Sequence, residues 1–437
     1  MTQRGDDSSP PPFRRSWTWS TTKVVGALLL IAVVVVAATT RAQKQGIGTD
    51  FHVFWQAGRN FLQGAPLYHP EAGARRYTYP PFAAQLFQIL GVLPLQTAAL
   101  LFYLGSVGLF AWAVLLCRRI IGQLEPTWRQ GNLPPVLALL CSAVFALDNM
   151  VHLQVNILTF TLCLLGAQAF IRRRDGAAGF WLVGATAIKI TPVFFLVWTV
   201  IRGTRRTILA VTGFGALAVL LPIAQRGSVR GTADLVEYYR SFLHQFASGG
   251  VVTVFRNQNL AAMVYRALVP GASRDAPPYD YAYLPFSPGA ASYVYRVGAL
   301  LIVSVFIWYL IRGRVTHRPI GALEISSVFL VSHLLSGITW KAHLVSLLFV
   351  SYVFFSLDPG SLTHWRRWTL LTAWAGLFTI GLGRDLIGST AHHYMAGYSV
   401  YVWVMLGLLT LSLVWSNNHP LTGTDMSVTG DPKPATE

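Results

Sequence analysis

Asp50 follows the first long apolar run, Val24 to Thr40, and opens the stretch Asp50-Phe51-His52-Val53-Phe54-Trp55. Acids are scarce here, with 17 Asp and Glu against 34 Lys and Arg. A carboxylate beside an apolar run is a candidate general base, provided a hydroxyl comes within hydrogen-bond reach. Further polar residues cluster in the gaps between later apolar runs. The first gap holds Arg75-Arg76-Tyr77-Thr78-Tyr79, and a later one Asp148, His152, Gln154 and Asn156. Then come Lys189, Arg256-Asn257-Gln258-Asn259, His333, Trp340, Lys341 and His343, and finally Arg384, Asp385, His392 and His393.

These types suit one kind of chemistry. Arginine binds phosphate bidentately and lysine acts as a point charge. Such groups stabilise the charge on a departing phosphate. Arg76, Lys189, Arg256, Lys341 and His343 fit that part. The amides of Gln154, Asn156, Asn257 and Asn259 suit sugar hydroxyls, and Tyr79, Trp55 and Trp340 suit the walls of a sugar or prenyl site. The set matches transfer of a sugar from a lipid phosphate to a hydroxyl, with Asp50 as the base.

Each residue also has a plainer reading. Asp50 could be a solvated acid or a helix N-cap. His333 and His343 could be core histidines, and Lys189 could pair or snorkel. Arg75 and Arg76 could meet lipid headgroups. Asn257 and Asn259 could cap a helix starting near Leu260. His392-His393 is a weak metal signal, because no set of Cys or carboxylates completes it.

The elements that position these residues are membrane helices. The 437 residues are 53% hydrophobic and 12% charged, about half the charge of an ordinary soluble chain. The reading is an all-α polytopic membrane protein with roughly 10–13 helices, short or re-entrant ones included. The net charge of +17 sits in short clusters, Arg118-Arg119, Arg172 to Arg174, Arg202 to Arg206, Arg312 to Arg318 and Arg366-Arg367. That is the positive-inside pattern and not a nucleic-acid stripe. It places residues 1–23 in the cytosol as a tail, 24–415 in the membrane domain, and 416–437 as a disordered cytosolic tail.

The expected spans after Val24–Thr40 are Gln96–Cys117, Leu133–Leu147, Val155–Ile171, Thr207–Ile223, Tyr293–Ile311, Gly321–Ile338, Leu344–Leu357, Leu370–Leu382 and Ser399–Trp415. Tyr79 to Pro94 reads as a half-helix. Ala177 to Ile201 reads as two short helices broken at Lys189-Ile190-Thr191-Pro192, because proline ends helices. Loops at about 41–78 and 224–292 cap the extracytoplasmic side. Cys117, Cys141 and Cys163 read as buried small hydrophobes.

The motifs taken in order resemble a known family. They are Asp50-Phe51-His52-Val53-Phe54-Trp55-Gln56-Ala57-Gly58, Leu62-Gln63-Gly64-Ala65-Pro66-Leu67-Tyr68, Tyr79-Pro80-Pro81-Phe82 and Leu153-Gln154-Val155-Asn156. Ile188-Lys189-Ile190-Thr191-Pro192, Asn257-Gln258-Asn259-Leu260 and Ser336 to Val345 continue the match. The set resembles glycosyltransferase family 87, integral-membrane enzymes of GT-C type that use polyprenyl-phosphate sugars. Three positions depart from the usual pattern: Leu153 stands for a glycine, the proline after Lys189 is displaced to Pro192, and Ala342 replaces a frequent histidine.

The resemblance implies an inverting transferase with Asp50 as base and His343 near the donor phosphate. It implies a polyprenyl-phosphate sugar donor and a glycolipid acceptor of the cell envelope, and the charge topology places the active site on the extracytoplasmic (periplasmic) face of the cell membrane. The best-known members are actinobacterial α-mannosyltransferases of phosphatidylinositol mannoside and lipomannan synthesis. An arabinofuranosyltransferase, a flippase of lipid-linked sugars and a silent scaffold remain alternatives. No metal or other cofactor is expected, since Asp50 has no acidic neighbour before Glu71 and divalent cations need several oxygen ligands.

Overall fold

The computed structural model describes residues 21–69, 72–129, 131–273 and 280–416. Most of the expected N-terminal tail, nearly all of the C-terminal tail and part of the second long loop lie outside these residues. Among the described residues every regular element is helical.

Helix α1 (Thr21–Gln43) turns into α2 (Asp50–Leu62), followed by α3 (Pro81–Gly91), α4 (Leu95–Leu124), α5 (Leu133–His152) and α6 (Asn156–Ile171). Helices α7 (Asp175–Ile188) and α8 (Val193–Arg202) flank the break at Lys189 that Pro192 predicts. Next are α9 (Arg205–Arg226), α10 (Ser228–Tyr238), α11 (His244–Ala247), α12 (Leu260–Leu268) and α13 (Pro288–Val315). The chain finishes with α14 (Ala322–Leu334), α15 (Leu347–Ser356), α16 (His364–Gly381), α17 (Arg384–Ile387), α18 (Ser389–Gly397) and α19 (Val400–Ser416).

Helices α4, α5, α9 and α13 are long and apolar enough to cross a bilayer, and α18 and α19 form a pair bent by 52° that passes the same test together. Leu28–Gln43, α6, α8, α14 and Lys341–Ser356 are apolar but shorter. Side chains such as Leu28, Val36, Leu209, Leu220, Leu300 and Trp308 are exposed on α1, α9 and α13. Apolar surface of that extent suits lipid contact. Every residue of α14 and α15 is buried. Helices buried on every side belong in a core, and these two pack into the main hydrophobic cluster with residues of α4, α5, α6 and α19.

Two expectations change here. The spans expected at Gly321–Ile338 and Leu344–Leu357 are shorter helices of 13 and 10 residues. Ser336, Gly337 and Ile338 leave the helix because their carbonyls accept side-chain hydrogen bonds. The stretch after Asp50, expected within an extracytoplasmic loop, is a helix. Phe51, Phe54, Trp55 and Gly58 recur at helical spacing, as a period near 3.6 requires, and His52, Val53, Ala57 and Phe61 are buried as well, so α2 is packed on more than one side.

Helices α2 and α3 touch at backbone distance. A Cβ on Gly58 would lie 2.3 Å from the Phe87 carbonyl oxygen, and one on Gly91 would lie 2.6 Å from the Arg59 nitrogen. This close approach anchors α2, and with it Asp50, to the bundle. The other end of α2 is held by the buried Arg226, which donates to the carbonyls of Asn60, Phe61 and Ala65 and pairs with Asp234 at 2.6 Å.

The basic clusters gather at one end of the molecule. Arg172 donates to Gln123, Asp175 accepts from Thr204 and Thr207, and Arg202 and Arg318 both hold Glu324. The N–H of Ala322 joins the same end through Glu125. Helix α4 runs 30 residues, about 45 Å at 1.5 Å per residue, between this end and the one that carries Asp50.

Candidate active site

Asp50 sits in the first turn of α2, just after the N-cap Thr49, whose hydroxyl accepts from the His52 N–H. It is therefore not itself the cap. Its side chain lines a cavity of about 820 Å³. Oδ1 pairs with Arg75 from the segment before α3. Oδ2 accepts from Nε2 of Gln154 at 2.6 Å and lies 3.8 Å from Nδ1 of His152. Nε2 of His152 lies 3.8 Å from Asp148, one helical turn earlier. The carboxylate is thus fixed from three directions while remaining at the cavity wall.

Gln154 is oriented by its surroundings. Helix α5 ends at Leu153, which adopts φ 47° and ψ 52°. The left-handed conformation explains why a glycine is usual there, since it costs a Cβ-bearing residue roughly 1–2 kcal/mol. The Leu153 side chain is buried beside Phe51 and Trp55, which offsets that cost. The reversed chain turns Gln154 back towards Asp50. Tyr79 Oη donates to Gln154 Oε1 at 3.5 Å. Burial, then the charge of Asp50, pushes the Tyr79 phenol above its usual range, so it stays a neutral donor.

Lys189 caps the broken end of α7 in an extended conformation. Its ammonium donates to Asn156 Oδ1 at 2.5 Å and lies 6.0 Å from the centroid of the Tyr79 ring. His343 lies in the turn before α15, with Nδ1 3.1 Å from the Ile338 carbonyl oxygen and 3.3 Å from the Trp340 nitrogen. Both Lys189 and His343 line the main cavity and a narrow pocket of about 40 Å³ behind it. His333 lines that narrow pocket, with its Nε2 2.6 Å from Ser346 Oγ.

Most of the expected site residues meet in this space. Asp50, Arg76, Tyr79, Gln154, Lys189, Arg256, Trp340, Lys341 and His343 all line the main cavity. Three readings are corrected. Trp55 is buried and donates to the Leu93 carbonyl, so it holds α2 against the chain before α4. Asn257 donates to Val252 and accepts from the Thr339 N–H, so its amide is fully used in the backbone. Asn259 caps α12 and donates to the carbonyls of Ser336 and Gly337. Asn156 lines the narrow pocket and holds Lys189. The plainer capping reading of Asn259 is the right one. Gln154 serves the carboxylate as well as the wall.

Several lining residues belong to the polar clusters of the sequence but carry no assigned role there: Arg75, Asp148, His152, Arg384 and His392. The adjacency of Arg75 and Arg76 was visible, but nothing in it chooses which one faces Asp50. The i,i+4 spacing of Asp148 and His152 was a usable signal once α5 was extended to His152. Among the described residues, no group of three or more His, Cys, Asp or Glu is placed to hold a metal ion.

Fold and site define a multi-pass helical membrane protein with a polar, cation-rich cavity at one end. The profile of glycosyltransferase family 87 matches residues 77–337, more than half of the chain. The chain belongs to glycosyltransferase family 87 and is a membrane glycosyltransferase. It is 26% identical over 392 residues to the polyprenol-phosphate-mannose-dependent alpha-(1-2)-phosphatidylinositol mannoside mannosyltransferase of Mycobacterium tuberculosis, covering 83% of this chain and 84% of that one. The protein of the same name from Mycolicibacterium smegmatis is 26% identical over 414 residues, with 88% and 87% covered. A pentamannoside mannosyltransferase of Mycobacterium tuberculosis is 24% identical over 349 residues, with 77% and 73% covered.

Proposed function

We propose that this protein transfers mannose, with inversion, from a polyprenyl-phosphate-mannose donor to a hydroxyl of a glycolipid on the extracytoplasmic side of the membrane. The observation that carries the reading is Asp50, fixed by Gln154 and Arg75 in a cavity that also contains Lys189 and His343. The sugar is inferred from the names of the two 26%-identical relatives, which specify polyprenol-phosphate-mannose. The side is inferred from charge. The basic clusters gather at the end away from Asp50, and such clusters stay in the cytosol.

In the reaction, the acceptor oxygen attacks the anomeric carbon and its proton passes to Asp50. The bond from that carbon to the phosphate oxygen breaks, and the electron pair leaves with the polyprenyl phosphate. Lys189 and His343 meet the charge that develops there. Attack opposite the leaving group turns a β-linked donor into an α-linked product. The leaving phosphate carries less charge than a nucleotide pyrophosphate, so these groups suffice without a divalent cation.

The test is transfer of labelled mannose from polyprenyl-phosphate-mannose in detergent, where no barrier exists to transport across. The purified protein is expected to label a glycolipid acceptor, also in excess EDTA. Asp50→Asn is expected to lower the rate by about 10²–10⁴-fold while donor binding persists. Normal turnover by the folded variant rules out Asp50 as base.

A further inference from the structure

The narrow pocket beside Lys189 is more than a gap in the packing. It shares Lys189, Thr191, Ser332 and His343 with the main cavity, so the two spaces meet at these residues. Phe160, Cys163, Phe195 and Phe329 supply its apolar walls. Phe329 meets Phe160 edge-on at 5.5 Å and Phe195 at 4.7 Å between ring centres. Rings held by one another in this way keep the space from closing.

Two polar atoms of the pocket residues are unused. Asn156, at the start of α6, turns Oδ1 to the Lys189 ammonium at 2.5 Å. That fixes the amide orientation and leaves Nδ2 as a donor. His333, on α14, meets Ser346 Oγ through Nε2 at 2.6 Å. Asn156 Nδ2 and His333 Nδ1 are buried and, among the described residues, have no hydrogen-bond partner. The two residues are 4% and 5% exposed, and bare polar atoms at such depth call for an occupant. Neighbouring hydroxyls do not serve, because Thr159 and Ser332 already donate to the carbonyls of Asn156 and Val328.

The occupant must be small, since the pocket holds about 40 Å³, room for roughly two or three water-sized groups. It must accept from Asn156 Nδ2 and bond His333 Nδ1, and a hydroxyl can do both. It must also present carbon to the aromatic walls. A water meets the first two demands and not the third.

We propose that the pocket is a hexose subsite, which takes the exocyclic hydroxymethyl group of the donor sugar. Its methylene lies against Phe160 and Phe329, and its hydroxyl lies between Asn156 Nδ2 and His333 Nδ1. This rests on the transfer reading above, which sets the donor phosphate at Lys189 and His343, where the pocket meets the cavity. In a hexopyranosyl phosphate, the carbons bearing the phosphate and the hydroxymethyl group flank the same ring oxygen. A phosphate at Lys189 therefore brings the hydroxymethyl group close to the pocket. That group also stands one atom further from the ring than any ring hydroxyl, so it can enter a side pocket while the ring stays in the cavity. A donor without it leaves both polar atoms bare, and sites of that kind discriminate strongly.

The test uses three synthetic polyprenyl-phosphate donors: mannose, 6-deoxymannose, and the pentopyranose with hydrogen in place of the hydroxymethyl group. The wild-type protein is expected to prefer mannose over each of the others by about tenfold or more in kcat/KM, the effect of one lost hydrogen bond. His333→Gln keeps a polar group for Ser346 and removes Nδ1, and is expected to bring the ratio of mannose to 6-deoxymannose close to one. Cys163→Leu fills the pocket and is expected to turn the preference towards the pentose donor. Each ratio is read within one preparation, so a loss of folded protein cancels. Equal use of mannose and 6-deoxymannose by the wild type overturns the proposal and leaves the pocket to water. A full preference retained by His333→Gln, or by Cys163→Leu, overturns it too.

A binding arm separates this from the transfer reading. Asp50→Asn protein is titrated with the same three lipids. Tighter binding of the mannose lipid, lost on adding His333→Gln, supports the subsite even if no form transfers sugar. Equal affinity for all three overturns the subsite and leaves the transfer reading standing.

Discussion

Gln154 donates from Nε2 to Oδ2 of Asp50 at 2.6 Å, across 104 residues of sequence. The bond joins the chain just after α5 to the first turn of α2. It gives one carboxylate oxygen a fixed direction and presents the group to the cavity in one orientation. Positioning of this kind accounts for much of what an active site does, since a misplacement of about 1 Å can cost about 10²-fold in rate.

Gln154→Ala is therefore expected to lower kcat about tenfold or more with little change in donor KM. A hydrogen bond to a charged group contributes about 1.5–3 kcal/mol, and part of that is replaced by water in the half-buried site. Steady-state kinetics with a glycolipid acceptor check it. Unchanged kcat means that Arg75 and His152 are enough to hold Asp50.

Lys189 and Asn156 are expected to differ in kind. Lys189→Met removes the cation placed for the leaving phosphate and is expected to lower kcat/KM by about 10²–10³-fold. Asn156→Ala removes the acceptor that holds the ammonium and is expected to have a smaller effect. Equal losses in kcat/KM from both would mean that the lysine acts only through its structural pair.

The contact between α2 and α3 makes a stability prediction. Gly58→Ala places a methyl group 2.3 Å from a backbone oxygen that cannot rotate away. Overpacking of this kind costs about 1–3 kcal/mol. The variant is expected to melt earlier in detergent and to lose activity, because α2 carries Asp50. A thermal unfolding curve matching the wild type would show that the helices can separate freely.

Glu324 is 1% exposed and holds Trp198, Arg202 and Arg318 at the end opposite the cavity. Glu324→Ala leaves two arginines without their shared counter-ion. Breaking a buried pair in this way costs about 3–5 kcal/mol. Expected results are a lower melting temperature and faster proteolysis, with donor KM unchanged in the fraction that remains folded.

Much of this was legible along the chain. Pro192 announced the break beside Lys189, and the structure ends α7 at Ile188 and starts α8 at Val193. Asn259 before Leu260 carried a capping signal that proved correct, against the idea that its amide meets a sugar. The aromatic stretch after Asp50 had helical spacing, yet its position between apolar runs suggested a loop. Trp55 looked like a wall because its type suits one, and its N–H turned out to be committed to Leu93.

By itself, the sequence determined the membrane class, the candidate carboxylate Asp50, the family and the residue types that any site here must use. These follow from local physics. Apolar length, helix period, proline and charge clusters act over a few residues and can be read in order. Only the tertiary structure decided that Arg75 and not Arg76 takes Asp50, that Gln154 turns back to it, and that Lys189, Lys341 and Arg384 from distant parts of the chain line the same cavity. Those facts depend on where the ends of α2, α5, α7 and α17 meet. That meeting is set by close backbone packing and by buried bonds between residues far apart in the chain, which no short stretch of sequence encodes.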